Sequence, residues 1–270
     1  MKFIPRLRKR RIDKQTKNMK TKPRSKHLVL VPLLAGMALG VLASAQAQDK
    51  KTSATPAATG AALSVQTKES QSAMTPQAAL TKLKEGNARF VAGDLLKRNL
   101  PAKVRATASG QYPFAVILSC LDSRQPIEIV FDQGPGDVFS ARIAGNVLND
   151  DILGSMEFAC KVSGAKLIAV IGHSNCGAIK GAADGVELGN LTGLLKKIQP
   201  AMNQVPAEVQ PRNSKNLEFV DKVAEAHVRL EMQQIRERSP ILRDMIEQGQ
   251  VGLVGGMYDL STGETRFFDN

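Results

Sequence analysis

Two short apolar runs constrain this chain most. Residues 114–119 (FAVILS) and 167–172 (LIAVIG) hold no charge and no alternation of polar with apolar side chains. A strand with one wet face alternates, whereas a strand covered on both faces reads as a continuous apolar run. Both runs are too short for a core helix, and each is followed at once by a polar stretch containing cysteine. They predict central strands of a parallel sheet with helices on both faces.

The rest of the domain fits that frame. Thr75-Pro76 is a helix cap followed by proline at the first helical position. Ala79, Leu80, Leu83, Ala88 and Phe90 then form a helical stripe to about Val91. A short helix is expected at 126–131, a strand at 137–141 and a helix at 150–162, with Asp150 and Asp151 at its positive end. Further helices are expected at 190–199, 216–237 and 240–248. A last strand at 250–259 turns through Ser261-Thr262-Gly263-Glu264 into a hairpin ending at Phe268. The class is α/β, with a mostly parallel central β-sheet flanked by helices.

Charge divides the chain. The net charge is +12 overall, yet residues 1–47 hold 12 Lys/Arg and a single acid, Asp13, so the remainder is close to neutral. The basicity therefore belongs to an N-terminal segment and implies no nucleic-acid partner. Aromatic content of 4% without tryptophan also argues against base-stacking platforms. Within that segment, HLVLVPLLAGMALGVLASA (27–45) follows a basic stretch and ends in two A-x-A patterns, the layout of a secretory signal. Residues 1–47 are expected to be a signal peptide, with Met19 a possible true start, and the membrane is met only there. Residues 48–74 read as a flexible linker and 75–270 as the folded domain, exported to the periplasm. Three cysteines are too few for a disulfide scaffold.

Chemistry concentrates behind the two buried strands. Cys120-Leu121-Asp122-Ser123-Arg124 follows the first and His173-Ser174-Asn175-Cys176-Gly177 the second. Open α/β sheets place ligands outside the carboxyl ends of their strands. Two Cys and one His there make a zinc site, and three protein ligands leave a position open, as catalytic zinc requires. Asp122 is a possible fourth ligand, and Arg124 can pair with it and draw it off the metal. A Cys120–Cys176 disulfide is the rival in an oxidising compartment. Gly172–Gly177 has the frame of a phosphate loop but lacks its Lys-Ser/Thr, and the zinc-deaminase and CxxC signatures are absent. Cys160, in mid-helix, reads as a core filler.

CLDSR followed by HSNCG resembles the β-class carbonic anhydrases. Glu85-Gly-Asn-Ala-Arg-Phe90, Arg142-Ile-Ala-Gly-Asn146 and Gly177-Ala-Ile-Lys-Gly181 extend the likeness over roughly residues 76–268. The resemblance implies one zinc ion per subunit, held by Cys120, His173 and Cys176. It implies reversible hydration of CO2 to bicarbonate and a proton through hydroxide on that zinc, with Asp122 and Arg124 as the catalytic dyad. Gln111, Phe139, Ala144 and Gly177 match substrate-pocket positions. A homodimer or homotetramer is implied as well. One subgroup of the family closes its site with aspartate on zinc and uses a tryptophan three residues before the first cysteine; Ile117 stands there, which favours the open type. His227 is a candidate proton shuttle by its ordinary pKa. Hydrolysis of CS2 or COS on the same fold, and a zinc-binding protein without turnover, are the alternatives.

Overall fold

The structure, a computed structural model, describes residues 65–268. The expected signal segment with Met19, and residues 48–64 of the expected linker, lie outside the described residues. In chain order the elements are α1 (Lys68–Ser72), α2 (Pro76–Ala92), α3 (Leu100–Thr107), β1 (Ala115–Ser119), α4 (Ile127–Val130) and β2 (Val138–Arg142). A 3₁₀ turn (Ala144–Asn146), α5 (Asp150–Glu157), a π turn (Phe158–Val162) and β3 (Leu167–His173) follow. Then come α6 (Gly177–Ala183), α7 (Gly189–Lys196), α8 (Gln199–Gln204), α9 (Leu217–Arg238), α10 (Pro240–Glu247), β4 (Gly252–Tyr258) and β5 (Thr265–Phe268).

The strands form one sheet in the order β2-β1-β3-β4-β5, parallel except for the β4–β5 hairpin. The chain leaves β1 to one side for β2 and returns on the other side for β3. The order therefore reverses between β1 and β3, which opens a crevice at their carboxyl ends. Both strands are buried along their whole length, as their apolar runs predict. Alternate side chains enter different cores. Val116, Leu118, Ile168 and Val170 pack with Met156, Val228, Met232 and Leu242 on one face. Ala115, Ile117, Ala169 and Ile171 pack with Leu83, Ile127, Val130 and Phe131 on the other. Helix α9 lies so near β3 that a Cβ on Gly172 would stand 2.8 Å from Val228 Cγ2 of that helix.

Four sequence readings need correction. The folded part begins before Thr75: α1 forms within the expected linker because Gln71 is buried and its Nε2 donates to the carbonyls of Pro113 (2.7 Å) and Ser163 (2.8 Å). Such long-range partners have no local signature. The stretch 100–107, left unassigned by periodicity, is helix α3, capped by Asn99 Oδ1. The helix expected at 150–162 changes to a π turn at Phe158. The helix expected at 190–199 ends at Lys196, and α8 starts afresh around Pro200, since proline lacks the N–H that a continuing helix needs.

Candidate metal centre

Cys120 follows β1 directly, His173 ends β3, and Cys176 caps α6. Their side chains converge in the crevice. One ligand atom from each lies within 4.8 Å of the others, and all three residues are buried. A tetrahedral zinc ion separates two sulfur ligands by about 3.8 Å, so the cluster is of the right size. His173 Nδ1 bonds the Ser174 carbonyl at 2.9 Å, which makes Nδ1 the protonated nitrogen. Nε2 is then a buried lone pair without a hydrogen-bond partner. An orphaned buried acceptor costs about 1–3 kcal/mol, and a cation between the three donors removes that cost.

The sulfurs are free and unequal. A hydrogen bond from Cys176 pulls the Cys120 thiol far down against its burial, helped by the backbone N–H groups of Gly145 and Asp122. Cys176 is pushed up, because that bond holds its proton and burial disfavours a second thiolate. A divalent cation would deprotonate both.

Backbone geometry sets the ligands. Asn175 takes the left-handed conformation (φ 56°) in the turn between His173 and Cys176, which asparagine tolerates better than most residues. Its N–H donates to Asp221 Oδ1 of α9 at 2.8 Å, and Ser174 N–H donates to the Tyr258 carbonyl at 2.9 Å. On the other side, Arg142 at the end of β2 donates to the carbonyls of Cys120 (3.2 Å) and Asp122 (2.7 Å). Gly145 N–H donates to Cys120 Sγ at 3.3 Å. The RIAGN stretch signals these last three contacts, from Arg142 and Gly145, in sequence; nothing in sequence signals Asp221.

Asp122 stands beside the cluster, with Oδ2 3.9 Å from His173 Nε2. Arg124 engages both of its oxygens, Nε and the backbone N–H on Oδ1 (both 2.9 Å) and Nη2 on Oδ2 (2.8 Å). The Arg124 guanidinium, first of all, holds the Asp122 carboxyl well below the usual carboxylate range despite partial burial.

The remaining predicted residues divide. Ala144 precedes Gly145 and so lies next to Cys120, and Gly177 is the exposed residue following Cys176. Two others are not brought to the cluster of their own chain. Gln111 is exposed beside Gly136 and Thr107, at the amino end of the sheet. It is a strand length, roughly 16 Å, from the cysteine end. Phe139 lies on the edge strand β2, opposite Val116 in register, and meets Phe158 edge-on at 6.3 Å. His227 is fully buried on α9, so it cannot hand a proton to solvent as a shuttle must. Burial pushes the Cys160 thiol up to about 12, as an inert core side chain requires.

Comparison with known proteins fits this geometry. Residues 115–265 match the family model described as carbonic anhydrase. Carbonic anhydrase 2 of Mycobacterium tuberculosis is 38% identical over 196 residues, covering 72% of this chain and 94% of the relative. The solved β-carbonic anhydrase CafA of Aspergillus fumigatus is 28% identical with a TM-score of 0.57, covering 72% of this chain and 90% of that one. A carbon disulfide hydrolase of Acidithiobacillus thiooxidans matches only 77 residues, at 31% identity, or 36% of its own length. A chain that shares both this much sequence and this sheet with them belongs to the carbonic anhydrase family, in its β class.

Proposed function

We propose that this protein hydrates CO2 reversibly to bicarbonate and a proton, using one zinc ion per subunit held by Cys120, His173 and Cys176. The observation that carries the reading is the orphaned His173 Nε2 facing two sulfurs, with an ionised carboxylate at its side. Zinc supplies Lewis acidity that makes water nucleophilic near neutral pH, chemistry of which carbonic anhydrase is the standard example. The protein supplies the rest. Asp122, kept ionised and fixed by Arg124, accepts a hydrogen bond and orients the attacking oxygen. Arg124 also keeps Asp122 from becoming a fourth ligand, so the open form is the resting one. Ala144 walls the crevice beside Cys120, and the Gly177 amide at the start of α6 can donate to a carbonate oxygen. CO2 is small and uncharged, so positioning the nucleophile matters more than binding the substrate.

The test is stopped-flow CO2 hydration with zinc analysis on the purified protein, run in parallel on CS2 and COS. Hydration with about one zinc per chain supports the reading; turnover of CS2 or COS alone replaces it with the hydrolase alternative. A protein that holds zinc without turnover would be the non-catalytic case, which the intact Asp122–Arg124 pair argues against.

We also read the working form as a homodimer or homotetramer. Strand β2 is a sheet edge, and beside it Phe158 and Val162 are 51% and 71% exposed. Gln111 and Phe139, away from the cluster of their own chain, can then serve a neighbour's. Sedimentation equilibrium decides this, and a monomer overturns it. The periplasm is the proposed location; cell fractionation tests it, and a chain found only in the cytoplasm overturns it. N-terminal sequencing of the exported chain tests Met19 as the true start, and a mature start before Met19 overturns that.

A further inference from the structure

The loop that carries Asp122 and Arg124 lies mostly at the surface. Leu121, Ser123 and Arg124 are exposed and Asp122 is half-buried, but the next residue, Gln125, is 0% exposed. Its backbone N–H donates to the Asp122 carbonyl at 3.0 Å, which closes a four-residue turn over Asp122–Gln125. Its side-chain Nε2 donates to the Gly172 carbonyl at 3.4 Å. Gly172 immediately precedes His173 in β3. Gln125 is therefore joined to the dyad through its backbone and to the ligand strand through its side chain. Its Oε1 is buried without a hydrogen-bond partner. The amide thus carries a desolvation cost that an apolar side chain of similar size would not, and the contact to Gly172 offsets part of it.

The turn is held from two sides. Arg142 grips the Cys120 and Asp122 carbonyls from the β2 side. Gln125 grips Gly172 on the β3 side, and Tyr258, opposite His173 in register, adds its hydroxyl to the Arg124 carbonyl at 3.5 Å. Asp122 follows β1 and His173 ends β3, so the 3.9 Å between their side chains depends on contacts that cross from one strand to the other. An orienting carboxylate is effective only where its oxygen points, and a displacement of about 1 Å can cost about 100-fold in rate. We infer that Gln125 is a positioning residue for the reaction, tying the Asp122–Arg124 turn to the strand that carries His173.

The inference rests on the hydration reading of the site, and its test measures turnover and backbone hydrogen exchange on the purified, zinc-loaded protein. Gln125→Met fills a similar volume without a donor, so a side chain that only fills space would leave the variant equal to the parent. As a tether, its loss should lower kcat for CO2 hydration about 10-fold at unchanged KM, with zinc content as in the parent. The Arg124 and Gln125 N–H groups should exchange with deuterium about 10-fold faster. The loss should also run through the dyad: on an Asp122→Ala background, Gln125→Met should change kcat by less than about twofold. Parent kcat or parent exchange in the Gln125→Met variant overturns the inference, and so does an undiminished loss on the Asp122→Ala background. If Gln125→Met does not fold, Gln125→Asn decides, because it keeps the amide but draws it back by one methylene. The same loss of kcat per folded molecule is expected there, and parent kcat overturns the inference. A parent without hydration activity overturns the hydration reading instead, and the exchange rates then decide the tether by themselves.

Discussion

At the amino end of the sheet, the buried Asp132 carboxylate sits between Arg89 and Arg98, and the buried Lys103 pairs with Asp137. At the carboxyl end, Cys120, His173 and Cys176 are as deeply buried, yet they face one another with an unpartnered nitrogen and only one thiol poised to ionise. Both ends pack polar groups where water cannot reach them. The first pairs its charges with one another; the second gathers three ligand atoms that a cation would satisfy together. Burial alone therefore does not mark a functional site. What sets the carboxyl end apart is that its unpartnered nitrogen faces two sulfurs, with one ligand atom from each residue within 4.8 Å of the others.

The sharpest way to break the comparison is Cys176→Ser. It should abolish metal retention and activity and lower the melting temperature, read by metal analysis and thermal unfolding. A folded variant that retains one zinc would show that the carboxyl end does not need this ligand. Asp122→Ala comes next. Zinc should stay, while CO2 hydration falls by two to three orders of magnitude, about 3–4 kcal/mol in the barrier. Survival of activity would remove Asp122 from the chemistry.

The amino end should respond in stability instead. Asp132→Ala leaves Arg89 and Arg98 facing each other, but these side chains are 28% and 16% exposed and can turn toward water. A loss of about 2–3 kcal/mol in urea unfolding is expected, with unchanged turnover per folded molecule. A pH dependence accompanies it. Burial of Asp132 opposes its charge, but hydrogen bonds from Arg98 and Arg89 outweigh that and hold its carboxyl below the ordinary 3.8. The stability it contributes is complete above 3.8 and fades as pH falls through the lowered folded-state value. Asp132→Asn should remove that acid-side loss; an unaltered acid limb would assign it to other carboxylates. The smallest effect is expected at Arg238, whose partner Asp150 is 95% exposed. Arg238→Ala should cost about 0.5 kcal/mol or less, and a larger value would mean that the α9 end is tied down by more than this pair.

Much of the site is legible in sequence because its parts are local. Cys120 and His173 come straight after continuous apolar runs, and the runs are continuous because both faces of β1 and β3 are covered. Asp122 and Arg124 are two residues apart, so their pairing needs only a tight turn. The stretch 85–90 is legible as a motif but not in its role. Asn87 joins α2 to the Val130 and Gly263 carbonyls and accepts from Thr265 N–H, and Arg89 reaches Asp132. These partners are 43 to 178 residues away in the chain.

By itself, the sequence determined the class of the sheet, the identity of the three metal-facing residues and the dyad beside them, because strand burial and ligand chemistry are written in consecutive residues. Tertiary structure alone decided that Gln111 and Phe139 lie away from their own cluster, that α1 is folded, and that Arg142, Asp221 and Gly145 hold the ligand loops. It also decided that His227 is sealed inside with Glu231. Each of these depends on which distant elements pack together, and packing is a property of the whole fold that no short stretch of sequence contains.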